Sequence, residues 1–536
     1  MKKNAIFIFG VLVISILVAV FVCRAYILMA NVLWDEASFL LWGERIYESL
    51  RHGNSMDLIR LTREQFYYPP LQSWILAVPL YLVGYSVFNA RLVSLFFYIL
   101  GSLLSFFIAR NLEKKRNNLT GLFASMFFIS SPMMIFFSTL AMKEMMGAVF
   151  SCFCIYLYFK IREENNILFS FSVSIILILL FFIKYNFGVI MAFILIIETL
   201  ISFFSLKNKF ILLRNQIIIF TPFLIIIGYW IFYPDNKLAS FISILKNPWS
   251  VTLGMGKLID YLLYYPRSIF YMYSFSNVLG AHFLASLILV LLWWKNYKVR
   301  VLWLYVSVNI FLGTVHFQNM QERFIFLAIP FLFIISAFLL EKIFYMVFHF
   351  RSSAFIFGAG LGLIILFFGK VFLDLPKIPG FVYSMGSYTM RSPVFNEKGY
   401  KNKLFNYDLK TWEYKTPAGN FEKPIDVVDF VSSKIDLSKP IRVIGGFNEL
   451  APDYFEMYFN LRRPEGGINK LSYSSFIVTL EVLPTSSFYT MDYQKQNLWQ
   501  IGEIRKIEAD LSLRLIAKKD FTKMGVVVKV FGDKKL

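Results

Sequence analysis

"YYPPLQSWILAVPLYLVG", residues 67 to 84, decides how the chain is threaded. Its apolar piece from Leu71 to Gly84 falls short of the roughly 20 residues that a helix needs to span a bilayer. Pro69 and Pro70 stand at its entrance, where proline opens a helix but cannot continue one. Lys2 and Lys3 put the N-terminus in the cytoplasm, and the next basic cluster, "RNLEKKR" at 110–116, belongs there too. One span from Ala5 to Val22 leads out, and residues 90–109 lead back. The piece at 71–84 must therefore not cross, and it reads as a juxtamembrane or re-entrant helix.

The composition agrees with a membrane chain. Of 536 residues, 57% are hydrophobic, 61 are Phe, and the mean hydropathy is +0.60. An ordinary soluble globule holds about 45–50% apolar residues. Spanning runs recur to residue 373 and then stop, which divides the chain into a membrane domain (1–373) and an extracytoplasmic domain (374–536). The net charge of +20 tracks topology and anionic lipid. Cys23, Cys152 and Cys154 lie in apolar runs and imply no disulfide framework. The long apolar core before Cys23, with bulky Val20-Phe21-Val22 and no small-residue cleavage site, reads as an uncleaved first span.

Further spans are expected near 119–140, 146–160, 167–183, 187–205, 216–233, 277–294, 301–316, 324–340 and 354–373, giving about eleven. Cytoplasmic turns then carry Lys160/Arg162, Lys207/Lys209/Arg214, Lys295/Lys298/Arg300 and Lys342/Arg351. The C-terminal domain is left outside. Two outer segments are long, 31–89 and 234–276, and the second is rich in aromatic residues. Long loops of that kind tend to carry function.

Charged side chains gather at the outer ends of the spans. "WDE" at 34–36 gives Asp35 and Glu36; the second span opens on Arg91; "STLAMKEMMG" gives Lys143 and Glu144; "FIKYNFGV" gives Lys184; "HFQNMQERFIFLAIPF" gives His316, Gln318, Glu322 and Arg323. Each has a plainer reading. The cations snorkel, the acids pair with neighbouring cations, Asp35 and Glu36 open a helix, Tyr68-Pro69-Pro70 is a turn, and His316 is an interface histidine. Against the plainer set stands recurrence: charges near bilayer depth cost about 2.5–3.5 kcal/mol each on insertion scales, yet four separate outer turns carry them. Lys184 and Arg323, with Arg91, suit a phosphate anchored in the outer leaflet, and a neighbouring carboxylate suits a general base. No nucleotide-binding loop is visible.

In order and placement, "WDE", "YYPPLQSW", "NARLVS", the acid opening the fourth span, the Lys between the fifth and sixth, and "QERFIFLAIP" resemble the GT-C membrane glycosyltransferases. The branch is that of the protein O-mannosyltransferases and lipid A aminoarabinose transferases. The resemblance covers residues 1 to about 373 and implies a sugar donor on a polyprenyl monophosphate. It implies Asp35 as general base, Glu36 shaping the acceptor site, Lys184 and Arg323 as donor-phosphate ligands, and Arg91 and Glu144 as organisers, with Lys143, Tyr68 and Glu322 in support. It implies inverting transfer to an acceptor hydroxyl on a protein, glycolipid or glycan of the cell envelope. No cofactor is called for, and a divalent metal stays open. The chain departs from the pattern at Tyr68, where several relatives have Lys or His, at "ERF" where many have "RY", and at "KYNFG". Those departures imply a different sugar or acceptor. The partners expected are the lipid donor, the acceptor and membrane lipids, with no nucleic acid. The Phe-, Ile-, Lys- and Asn-rich composition is that of an AT-rich prokaryotic genome, and the location expected is a prokaryotic plasma or inner membrane.

The C-terminal domain, with 24 Lys and Arg against 19 Asp and Glu, reads as a small α/β unit. Strand-like runs lie at 441–447, 476–482, 513–519 and 525–531, and helical stretches near 424–434, 449–460 and 494–509. Gly445-Gly446 reads as a turn. Two other functions fit a polytopic chain: an oligosaccharide ligase using a polyprenyl diphosphate, and a transporter or flippase of an anionic lipid. A transporter is expected to place charge at mid-bilayer and to show internal repeats, and neither is found here.

Overall fold

The computed structural model describes residues 2–23, 34–65, 69–113, 118–205, 209–233, 258–271, 273–274, 277–316 and 322–348 of the helical part. Of the remainder it describes residues 238 and 242 and segments 382–385, 388–391, 407–408, 413–415, 421–422, 424–436, 441–445, 476–482, 498–510, 512–521 and 526–533. Residues fall into two compact units. One holds Met1–Arg24, Asn54–Ile75 and Arg91–Leu375; the other holds Ala25–Gly53, Leu76–Ala90 and Pro376–Leu536.

The helical part runs α1 Lys2–Val22, α2 Trp34–Arg51, α3 Ser55–Glu64, α4 Leu71–Val83, α5 Val87–Arg110, α6 Asn118–Ser130, α7 Pro132–Ser138, α8 Lys143–Glu164, α9 Ile167–Ile183, α10 Tyr185–Ser205 and α11 Lys209–Phe232. Helices Leu258–Tyr271, Asn277–Leu289, Tyr297–His316 and Ile329–Phe348 follow. Five helices among the described residues are long and apolar enough to cross a membrane, or six if α6 and α7 count as one bent span. Shorter apolar helices lie at Ile6–Val20, Leu71–Val83, Ile167–Ile183 and Val278–Trp293. The expected last span, 354–373, lies outside the described residues.

Local chemistry sets the breaks. The turn between α8 and α9 is two asparagines. Asn165 takes the left-handed conformation (φ 50°) that closes α8 through its N–H to Ile161 O. Asn166 caps α9, its side chain accepting from Leu168 N at 2.9 Å. Two expectations need correction. The span at 119–140 is broken: Pro132 forces Ser131 into extended backbone, and α6 and α7 meet at 62°. Lys209 and Arg214, expected in a cytoplasmic turn, lie on the first turns of α11 instead.

Elsewhere the helices are tied by ions the sequence reading did not pair. Arg300 grips Glu198 with Nε at 2.8 Å and Nη2 at 2.7 Å, and Ser202 donates to Glu198 at 2.6 Å. Glu198 is fully buried. Lys298 bonds Glu163 and the Asn111 carbonyl. An aromatic cluster fills the interior, with Phe127 5.3 Å from Phe283 and Phe283 5.1 Å from Phe333.

The C-terminal part contains a four-stranded mixed sheet. Ile441–Gly445 pairs parallel with Phe476–Val482, which pairs antiparallel with Val526–Asp533, and Leu513–Phe521 closes the edge. Helix Leu498–Ala509 covers it through Ile504 and Ile507, packed with Ile444 and Phe531. All four expected strands and two of the three expected helices are present; the third, 449–460, lies outside the described residues.

Candidate functional site

The motif after the double proline works as a clamp. Gln72 Nε2 donates to Ala141 O at 2.8 Å, Ser73 donates to Gln65, and Trp74 Nε1 donates to Thr62 Oγ1 at 3.0 Å. These bonds fasten α3 and the start of α4 to the segment leading into α8. Met142 is extended and α8 begins at Lys143. Lys143 is buried, and so is Glu144, with no exposed surface. Neither carboxylate oxygen of Glu144 has a hydrogen-bond partner among the described residues, and the same holds for Gln72 Oε1.

Helices α9 and α10 are joined by Lys184 alone. Its N–H bonds Leu180 O at 3.1 Å, and its carbonyl accepts from Phe187 N at 2.9 Å. The joint is tight enough to require Gly188, since a Cβ there would stand 2.7 Å from the Phe181 backbone nitrogen. Trp230 steadies the joint from α11, donating to the Tyr185 hydroxyl at 3.1 Å and lying edge-on to Phe182.

The Lys184 ammonium lies 5.2 Å from the centre of the Phe187 ring and 5.3 Å from that of Phe324. Phe324 also carries Arg323, whose Cζ is 5.7 Å from the same ring. Cations over phenyl faces gain about 0.5–2 kcal/mol each, depending on desolvation. Phe187 in turn packs on α8 at Gly147, where a Cβ would come within 2.5 Å of its ring. Gly147 shares a helix face with Glu144, one turn away. Contacts therefore run from Glu144 and Gly147 through Phe187 and Lys184 to Phe324 and Arg323.

Residues Glu322–Phe324 and Phe326–Ala328 form two 3-10 turns ahead of helix Ile329–Phe348, where a regular span start was expected. Phe326 anchors them, 4.7 Å from Phe137 of α7 and 6.4 Å from Tyr273. Arg91 is buried in α5, in the same unit as Glu144, Lys184 and Arg323.

Asp35 and Glu36 fall in the other unit, in the first turn of α2. Glu36 is fully buried. Close by, Tyr85 donates its hydroxyl to Leu40 O at 2.6 Å and lies 5.5 Å from Tyr47. Burial first, then the Glu44 and Glu36 carboxylates, push the Tyr85 phenol well up from its usual range.

Of the residues expected at the site, Lys143, Glu144, Lys184 and Arg323 thus share one neighbourhood. The Asp35 side chain, Tyr68, the His316 side chain, Gln318 and the Glu322 side chain lie outside the described residues. The rings of Phe187 and Phe324 and the clamp at Gln72 were missed, though "KYNFG" and "ERFIF" do show an aromatic within three positions of each cation. Among the described residues, no cluster of three or more His, Cys, Asp or Glu could hold a metal ion.

No protein-family model and no curated protein sequence matches the chain. Solved structures do. The apo crystal structure of ArnT from Cupriavidus metallidurans is 13% identical, with 97% of this chain covering 98% of that one at a TM-score of 0.55. The structure of the same protein bound to undecaprenyl phosphate gives 12% identity, the same coverages and a TM-score of 0.54. ArnT is a lipid A aminoarabinose transferase of the GT-C fold. The apolar helices and this likeness mark an integral membrane protein, and its fold is that of the GT-C membrane glycosyltransferases.

Proposed function

We propose that the protein is a glycosyltransferase that moves a sugar from a polyprenyl monophosphate to an acceptor hydroxyl at the extracytoplasmic face of the membrane. The single observation that carries this reading is the meeting of Lys184 and Arg323 at Phe324 in a fold one of whose solved members holds undecaprenyl phosphate. An ammonium and a guanidinium at one ring bring together the positive charge and the N–H donors that bind an anion. A lipid phosphate is such an anion, and it reaches the site from the bilayer side.

The reaction runs by inversion. The acceptor oxygen attacks the anomeric carbon while Asp35 takes its proton, and Glu36 shapes the acceptor site. The bond from the anomeric carbon to the phosphate oxygen breaks, and the phosphate leaves with the electron pair. Lys184, Arg323 and Arg91 stabilise the charge that grows on it, which is electrostatic stabilisation by groups already in place. The membrane domain comprises residues 1–373 with about eleven spans, and residues 374–536 lie outside and position the acceptor.

Native mass spectrometry of the detergent-purified protein, wild type beside Asp35→Asn, tests this. Losing the base stalls turnover and leaves the donor groove whole, so a polyprenyl-phosphate sugar should co-purify and be enriched in the variant. If neither form carries such a lipid, and Lys184→Ala changes nothing bound, the transferase reading falls and transport of an anionic lipid takes its place.

A further inference from the structure

Glu144 poses a problem that stability does not explain. A carboxylate with no exposed surface and no hydrogen-bond partner on either oxygen among the described residues loses its hydration and gets nothing back. Gln72 repeats the pattern: it clamps Ala141, three residues before Glu144. Its Nε2 is committed to Ala141 O, which fixes the amide orientation and leaves Oε1 as the open edge, buried and without a partner among the described residues. Both side chains are more than nine-tenths buried, on different helices. Three acceptor atoms are thus held where only a donor can satisfy them.

Their chemistry is opposite to that of the neighbouring turn. Lys184 and Arg323 offer donors and positive charge; Glu144 and Gln72 Oε1 offer acceptors alone. The two sets are linked through Gly147 and Phe187, one helical turn from Glu144. A ligand that fits both carries an anion at one end and hydrogen-bond donors at the other. A bare phosphate does not, because a carboxylate repels it.

We infer that Gln72 and Glu144 form the subsite for the sugar of the donor, taking hydrogen bonds from its hydroxyl or ammonium groups while the phosphate lies on Lys184 and Arg323. This rests on the transferase reading above and adds to it the part of the donor that each half of the site reads. Hydrogen bonds to a charged acceptor distinguish a ligand with the matching donor from one without it by about ten- to a hundredfold.

The test measures affinity of the full-length protein in nanodiscs for undecaprenyl phosphate and for its esters with mannose, glucose and 4-amino-4-deoxyarabinose. Wild type should bind at least one ester about tenfold or more tighter than the sugar-free lipid. Glu144→Gln should erase that preference and leave affinity for undecaprenyl phosphate intact, whereas Lys184→Ala should weaken both lipids together. The ligand-free Glu144→Gln protein should melt no lower than wild type, since the substitution breaks no hydrogen bond of that side chain among the described residues. The subsite is overturned if Glu144→Gln keeps the full preference, if no ester outbinds the sugar-free lipid, or if the variant melts several degrees lower. If wild type binds no polyprenyl phosphate at all, the transferase reading itself has failed, and the subsite with it.

Discussion

Lys184 and Arg323 converge on a single side chain: the ammonium of one lies 5.3 Å and the guanidinium carbon of the other 5.7 Å from the centre of the Phe324 ring. The ring is thus a neighbour common to both cations. Replacing it with an aliphatic side chain keeps an apolar group there and removes the quadrupole. Phe324→Leu should raise KM for the lipid donor by about 2- to 30-fold, the range that a cation–π contact covers, with little change in kcat. Phe324→Tyr keeps the ring and should stay within about twofold. Steady-state kinetics with the co-purifying lipid decides it; equal effects from Leu and Tyr would remove the ring from the account.

Gly147 gives the ring of Phe187 its place against α8. Gly147→Ala puts a methyl 2.5 Å from that ring, so Phe187 must move, and Lys184 loses its contact with the Phe187 ring. The expected cost is about 1–3 kcal/mol of stability, together with weaker binding of undecaprenyl phosphate. Thermal unfolding and lipid titration on the same sample measure both. Unchanged lipid affinity in a destabilised protein would separate Phe187 from the site.

The Glu198–Arg300 pair makes a prediction of a different kind. Arg300→Met strands a fully buried carboxylate and should cost about 3–5 kcal/mol, while Glu198→Gln with Arg300→Met together should recover most of that loss. Chemical unfolding of the two single variants and the double variant in one detergent closes the cycle. Additive losses would mean that the pair is not coupled.

Tyr85 tests the acidic turn of α2. Its hydroxyl, buried against Leu40 O, is a donor with no substitute in Phe. Tyr85→Phe should cost about 0.5–1.5 kcal/mol, the net worth of one hydrogen bond, because Leu40 O lies inside α2 and keeps its place in the helical ladder. Catalytic pH profiles of the variant should keep the wild-type shape, because the phenol stays protonated throughout the working range. A shifted alkaline limb would show that it titrates.

The sequence carries the positions of these elements better than their joints. α9 ends at Ile183 and α10 begins at Tyr185 because Lys184 interrupts two apolar runs, and that interruption is plain to read. The helix Leu71–Val83 and the four C-terminal strands follow from length and alternation in the same way. The break at Pro132 was legible in principle, through the effect of proline on the residue before it. It was passed over because the apolar run continues unbroken through it. Glu198 sits in "AFILIIETLISFF", where a lone acid demands a partner, but its partner Arg300 is 102 positions away and also fits a cytoplasmic turn. The aromatic support of Lys184 and Arg323 needed three dimensions, since Phe324 is adjacent to one cation in sequence and remote from the other.

The one-residue joint between α9 and α10 has a consequence for the surrounding lipid. Helix Ile167–Ile183 is 17 residues, about 25 Å of rise, and Lys184 is fastened at its tip by backbone bonds on both sides. Only the lysine stem can adjust its height, so the charge rides at a level fixed by protein geometry while the headgroup plane is fixed by acyl-chain length. A bilayer thicker than the helix would draw that plane away from the ammonium, and a thinner one would bring them into line. With the lipid phosphate on Lys184, as proposed, the hydrophobic thickness of the host membrane would become a control on turnover, written into the length of a single helix.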